Sequence, residues 1–347
     1  MKTTVIAVSL PHVRSLSSLL ERAADFASLM KPRVMLLAVF TAVVGLVIAP
    51  VHLDLLRGSL AILAIATGAG AAGALNMWYD ADIDAVMTRT ARRPIPRGKI
   101  SRADALVFGL VLAGGAIGVL ALALNVNAAA LLAFAIFFYV VVYTISLKRR
   151  TPQNIVIGGA AGALPPVIGW AAATGEIGLE PLILFLIIFL WTPPHFWALS
   201  LNRADEYARA GVPMLPTVAG RAATTRQILI YSVLLVPISV LPWTLGFAGA
   251  LYAAMAVVGG AAFVGLALRL HRSKGTNRQA AHRLFVFSIS YLFLLFAALL
   301  ASSYANRGPA GFSARVAPTD VTLLQAGSPV RPVLMARSAT LFSLGEV

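Results

Sequence analysis

Asn76, Asp80 and Asp84 stand at i, i+4 and i+8, and Arg89, Arg92, Arg93 and Arg97 follow within 13 residues of Asp84. On an α-helix that spacing sets three oxygen-bearing side chains on one face, about 6 Å apart per step, and turns Asp82 away from them. Oxygen donors of this kind suit a hard cation. Mg²⁺ takes one or two carboxylates and completes its shell with waters and substrate phosphate oxygens. Guanidinium groups bind phosphate oxygens in pairs of hydrogen bonds. Metal and arginines together would stabilise charge building on a departing diphosphate. Pro94 and Pro96 stiffen the loop and Gly98 allows a turn. The plain alternative is a solvated helix end followed by a basic loop. Two carboxylates one turn apart repel each other, however, and a bound cation offsets that.

These residues need a frame, and the composition supplies it. The chain is 59 % hydrophobic and only 12 % charged, with mean hydropathy +0.85. A soluble domain is nearer a quarter charged. Nine apolar segments are long enough to cross a bilayer: 34–52, 58–78, 103–124, 128–147, 154–174, 180–200, 227–245, 248–269 and 284–304. The expected fold is an all-α polytopic membrane protein of nine transmembrane helices. The short alternating segments of a membrane β-barrel do not occur.

Net charge is +15, but its distribution argues against nucleic acid. With the N-terminus inside, 23 of the 28 Lys and Arg fall on the cytoplasmic side. That is the positive-inside bias, and it predicts N-in, C-out topology in a lipid bilayer with basic loops along its inner leaflet. There is no Cys, so disulfides, thiolate metal sites and a Cys nucleophile are excluded. No signal-peptide pattern precedes the first span.

Residues 1–33 read as a cytoplasmic arm whose stretch 14–31 forms an amphipathic surface helix. The domain proper is 34–304, and 305–347 reads as a poorly ordered tail. Span 2 is rich in Gly and Ala, which lets helices approach closely, and it ends in the Asn76–Asp84 motif. The turn Asn125-Val-Asn127 makes spans 3 and 4 antiparallel neighbours. Pro165-Pro166 should break span 5. Span 6 ends in Trp191-Thr-Pro-Pro-His195-Phe-Trp197, and a second polar loop follows at 202–216 with Asp205 and Glu206. Two helical blocks would each supply one polar loop. His195 lies inside a span, where an unpartnered His is costly. It could be a ligand or bond to a backbone carbonyl freed by Pro193 and Pro194. His52 is a weaker ligand candidate, and His12, His271 and His282 read as solvated loop residues.

Asn76-x3-Asp80-x3-Asp84 at the inner end of span 2 resembles the first aspartate-rich motif of the UbiA-type intramembrane prenyltransferases, and the resemblance covers roughly 30–305. Within that family, Arg89-Thr-Ala-Arg92-Arg93-Pro-Ile-Pro96, the stretch Leu147–Gly162, Pro194-His195-Phe-Trp197 and Asp205-Glu206-Tyr207 through Pro216 are similar to the branch that acts on haem. The resemblance implies nine helices in two blocks around a central cavity, Mg²⁺, and farnesyl diphosphate as donor. The farnesyl group and water would join a vinyl group of haem B, giving haem O and diphosphate for haem-copper oxidases. It implies a bacterial inner-membrane enzyme with its site on the cytoplasmic side. Haem A synthase or terminal-oxidase assembly factors would be its partners. Asn76, Asp80 and Asp84 would hold the metal. Arg92, Arg93 and Lys148, with Asp205 and Glu206, would serve the diphosphate, and His195 the haem. Many relatives carry a second Asp-x3-Asp motif; here position 209 is Arg, so a second Mg²⁺ site is left open. The rival readings are a prenyltransferase for another aromatic acceptor and, for a proline-broken bundle, a transporter. The gathering of ionisable residues at the rim rather than the midplane speaks against transport.

Overall fold

The computed structural model describes residues 16–305, and the expectations for 1–15 and for the tail from 306 fall outside the described residues. Among those residues the protein is all helix. A helix α1 (Leu16–Leu29) leads into α2 (Pro32–Ile48), α3 (Leu55–Tyr79), the short α4 (Ala81–Val86) and α5 (Arg102–Ala123). Next, α6 (Val126–Phe137) continues as a π-helical segment, Phe138–Leu147. Then come α7 (Asn154–Ala163), α8 (Pro165–Thr174), α9 (Leu179–Leu201), α10 (Ala204–Arg209), α11 (Leu215–Val218) and α12 (Gly220–Thr244). Finally α13 (Ala250–Ala254) passes through the π turn Met255–Gly259 into α14 (Gly260–Arg272), and α15 (Arg278–Ala305) closes the described chain.

Eight helical runs are long and apolar enough to cross a membrane, and the pair Ser18–Leu29 and Pro32–Ile48, bent by 54°, makes a ninth when counted together. The bend has local causes. Lys31 adopts a left-handed backbone, φ 53°, and Pro32 sits at the first position of α2. Proline fits there because its missing N–H would have no helical partner. Elsewhere short polar side chains start the helices. Asp54 accepts from Arg57 N, Ser101 from Asp104 N and Asn125 from Ala128 N. Each replaces a hydrogen bond that a first-turn amide otherwise lacks.

The hydropathy boundaries hold for most spans and miss at two. The seventh helix begins at Gly220 rather than 227, and the ninth at Arg278 rather than 284. Both carry polar first turns, Arg221 to Arg226 and Arg278 to Arg283, that stay helical beyond the apolar segment. For the same reason His271 and His282 stand on α14 and α15, not in loops. Asn125 and Asn127 do more than turn the chain. Their side-chain amides donate to the carbonyls of Ala171 and Gly175 at 2.9 and 2.6 Å, fastening the α5–α6 turn to the end of α8.

Two apolar cores fill the bundle. One joins α9, α12, α14 and α15; the other joins α2, α3, α5, α6 and α8. The proline pair does break span five, and α7 gives way to α8 at Leu164. Around that break, α2 and α8 meet backbone to backbone. A Cβ at Gly45 would lie 2.1 Å from the Pro166 carbonyl oxygen, and one at Gly169 would lie 2.1 Å from that of Ala42. Close approach of this kind is how helices associate where lipid offers no hydrophobic drive. Gly169→Ala should therefore cost about 1–3 kcal/mol and lower the thermal unfolding midpoint of the purified protein. Gly114→Ala, whose Cβ meets nothing within 4 Å, should keep the midpoint or raise it slightly. Equal midpoints for the two variants would contradict the crossing.

Candidate functional site

The Asn76–Asp84 stretch spans the junction of α3 and α4, yet main-chain bonds run across it. Asp80 N donates to Asn76 O at 2.9 Å and Asp84 N to Asp80 O at 2.8 Å. The three side chains thus keep one helical face, as their spacing predicts. All three are buried, Asp80 at 0 % and Asp84 at 3 % exposure. Asp82 is exposed and faces away.

Burying two carboxylates is costly unless cations and donors compensate, and the neighbouring elements supply both. Asn76 uses its whole amide. Its Oδ1 accepts from Lys31 Nζ at 2.6 Å, and its Nδ2 donates to Asp80 Oδ2 at 2.7 Å and Thr144 Oγ1 at 3.1 Å. Lys148 Nζ donates to the same Asp80 oxygen. Arg93 donates to Asp84 Oδ2 at 2.6 Å. The other oxygen of Asp80, Oδ1, is buried without a hydrogen-bond partner and has the Arg149 guanidinium 3.6 Å away.

The π-helical segment makes this meeting possible. Lys148 N bonds to Tyr143 O, five residues back, at 2.8 Å. The wider turn brings Thr144 and Lys148 to the Asn76–Asp80 face. The Thr144 hydroxyl donates to Tyr139 O at 2.9 Å, so its lone pair is left for Asn76. Such π segments recur at functional sites. The loop after α4 is held in the same way: Thr90 Oγ1 donates to Asp84 O at 3.0 Å, and Lys99 N to Pro94 O at 2.9 Å.

Asp82, set aside by its spacing, anchors the rim. Arg149 donates to both its oxygens, at 2.8 and 2.7 Å, and lies over the Tyr79 ring at 4.9 Å. That hydrogen-bonded pair holds the Asp82 carboxyl down at about 2 and raises the Arg149 guanidinium. Burial, with repulsion from Arg93 and Lys148, pushes the Lys31 ammonium down to about 7.

Not every expected residue arrives. Of the four arginines after Asp84, only Arg93 reaches the cluster; Arg89, Arg92 and Arg97 are exposed. On the second loop, Asp205 is exposed and Glu206 pairs with Arg203 at 3.3 Å, while Glu206 Oε2 is buried with no partner. Lys31, Thr144 and Arg149 were not singled out for the site. Lys31 lies at the end of the stretch expected as a surface helix, and Arg149 counted only among the basic residues of the cytoplasmic side. Thr144 had no signal, because its inward face depends on the π register.

His195 takes neither a freed carbonyl nor solvent. Its Nδ1 meets Ser288 Oγ at 2.7 Å, and Ser288 Oγ donates to Phe285 O at 2.6 Å. The hydroxyl proton is therefore committed, so Nδ1 is the donor and Nε2 carries the lone pair. Trp191 and Phe285 stack on the ring, with centroids 4.3 and 4.8 Å away.

Among the described residues no cluster of three or more His, Cys, Asp or Glu could hold a metal alone. Two carboxylates and one amide are what the motif offers. That set could be the protein's share of a cation site completed by phosphate oxygens, and Asp80 Oδ1, which has no hydrogen-bond partner, is an oxygen it could use.

Known proteins are similar to this chain in sequence and in fold. Residues 38–290 match the profile of the UbiA prenyltransferase family. A protoheme IX farnesyltransferase of Afipia carboxidovorans is 61 % identical over 277 residues, 79 % of this chain and 88 % of that protein. One of Parvibaculum lavamentivorans is 56 % identical over 293 residues, 84 % and 92 % of the two chains. Among solved structures, a digeranylgeranylglyceryl phosphate synthase superposes with TM-score 0.69 at 20 % identity, covering 82 % of this chain and 99 % of that one. A UbiA homologue from Archaeoglobus fulgidus bound to GPP and Mg²⁺ gives TM-score 0.56 at 16 % identity, covering 79 % and 99 %. With the family profile matched over most of its length, this multi-pass membrane protein belongs to the UbiA prenyltransferase family.

Proposed function

We propose that this protein transfers the farnesyl group of farnesyl diphosphate to a vinyl carbon of haem B, with addition of water, giving haem O and diphosphate. What carries the reading is the buried Asn76–Asp80–Asp84 face, ringed by Lys31, Arg93, Lys148 and Arg149. It occurs in a chain about 60 % identical to protoheme IX farnesyltransferases along most of their length.

Asn76, Asp80 and Asp84 would hold Mg²⁺, which when bound neutralises charge on the leaving diphosphate. Lys148, Lys31 and Arg93 now lie on the acidic and amide oxygens. When substrate enters they exchange those partners for phosphate oxygens, so the site stays neutralised throughout. Arg92, exposed at the mouth, and Asp205 and Glu206 on the facing loop serve the diphosphate from outside. The C1–oxygen bond of farnesyl breaks, diphosphate leaves, and the vinyl π electrons form the new bond to C1. Water then adds to the porphyrin-side cation and releases one proton. The apolar bundle excludes other water from the allylic cation. His195 would face the iron through Nε2, the ring nitrogen its Ser288 bond leaves unprotonated.

The positive-inside bias supports N-in, C-out topology with the site on the cytoplasmic face, in what would be a bacterial inner membrane. The product would pass to haem A synthase or to terminal-oxidase assembly factors.

Purified protein given labelled farnesyl diphosphate and Mg²⁺ should farnesylate haem B and leave 4-hydroxybenzoate untouched. Label in the benzoate instead would overturn the acceptor. Asp80→Asn should lower haem O formation at least about 100-fold with the protein still in the membrane. Asp82→Asn, which breaks an exposed pair, should stay within about tenfold of the unmodified enzyme. Comparable losses in the two variants would refute the division between them. In His195→Ala the Soret band of bound haem B should shift; an unchanged band would refute ligation.

A further inference from the structure

A second basic cluster stands outside the aspartate site. Asn202, at the end of α9, and Arg278, Gln279, His282 and Arg283, on the first turns of α15, line a cavity of about 560 Å³. The contrast with the aspartate cluster lies in pairing. There, Arg93, Lys148 and Arg149 each have a carboxylate partner. Here, among the described residues, no carboxylate pairs with Arg278, His282 or Arg283, and none lines the cavity. An open, unpaired basic lining suits an anion.

Helix register ties the cavity to His195. Trp191, His195 and Asn202 share the face of α9 that meets α15. Trp191 Nε1 donates to Ser288 O at 2.8 Å, His195 meets Ser288 Oγ, and Asn202 Nδ2 donates to Arg278 O at 3.1 Å. From His195 to Asn202 is seven residues, about 10 Å along the axis. That is comparable to the reach from the centre of a porphyrin to the ends of its propionate arms. On α15 the order repeats in reverse: Arg278, His282, Phe285, Ser288. Aromatic rings around His195 therefore stand in line with a basic rim at the end of the same two helices.

We infer that this cavity receives the two propionate carboxylates of the acceptor, with Arg278 and Arg283 as anchors and His282 as a further donor. The inference rests on the haem reading above. A planar apolar body with two carboxylates on one edge needs an aromatic wall and a basic rim in register, and α9 with α15 provides both. A phospholipid headgroup would need only the rim. The anchors are exposed, so the carboxylates keep part of their hydration and escape most of the cost of burial. Charge-assisted bonds to guanidinium also fix which edge of the porphyrin faces the aqueous end.

The test is spectroscopic titration of the full chain, in nanodiscs of zwitterionic lipid, with haem B and with its dimethyl ester. The unmodified protein should bind haem B at least about tenfold more tightly than the ester. The double variant Arg278→Gln/Arg283→Gln should bind the two alike, and Arg278→Lys/Arg283→Lys should restore the preference. Equal affinity for acid and ester in the unmodified protein would overturn the inference while leaving haem as acceptor. No binding of haem B at all would strike the haem reading itself. If the glutamine variant keeps its preference and loses only retention of added phosphatidylglycerol, the cavity is a lipid headgroup site and the inference fails.

Discussion

Two carboxylates buried at the end of an apolar bundle are the constraint on which the rest of the structure turns. Asp80 and Asp84 have almost no exposure. A buried carboxylate stripped of its partner is destabilising by several kcal/mol, whereas a paired one is tolerated. The elements around them are placed accordingly. The bend between α1 and α2 brings in Lys31, the π-helical end of α6 brings Thr144 and Lys148, and the loop after α4 returns Arg93. Each cation comes from a different part of the chain. The site is thus also a tie between the α1–α2 bend, α3, α4 and the π-helical segment.

On the proposed function, the same ties would serve a diphosphate. Cations that neutralise acids in one state can neutralise phosphates in another, with no charge left bare between. The bundle behind them would keep water from the allylic cation. Arg149, clasped by Asp82 at the rim, is held near Asp80 without spending both of its partners there.

Much of this was legible in the residues. The i, i+4, i+8 spacing of Asn76, Asp80 and Asp84 named one face of a helix, and that face is the buried one. The apolar segments marked the spans, because lipid forces the backbone to bond within each helix. What stayed hidden depends on tertiary contact. Thr144 looks inward only because five-residue bonds widen the last turns of the segment after α6, and no hydropathy pattern marks that. Lys31 touches Asn76 in the fold but lies 45 residues away in the chain. The extra turns of α12 and α15 were lost because their first residues are polar. His282 was read as a loop residue for that reason, and it lines the basic cavity instead.

If the aspartate cluster seats a metal-bound diphosphate, calorimetric titration with an unreactive thiolodiphosphate analogue of the farnesyl donor should show it. Binding should be tight with Mg²⁺ and weak after chelation, and Asp80→Asn should lose the Mg²⁺ effect. Equal affinity with and without Mg²⁺ in the unmodified protein would contradict that seating.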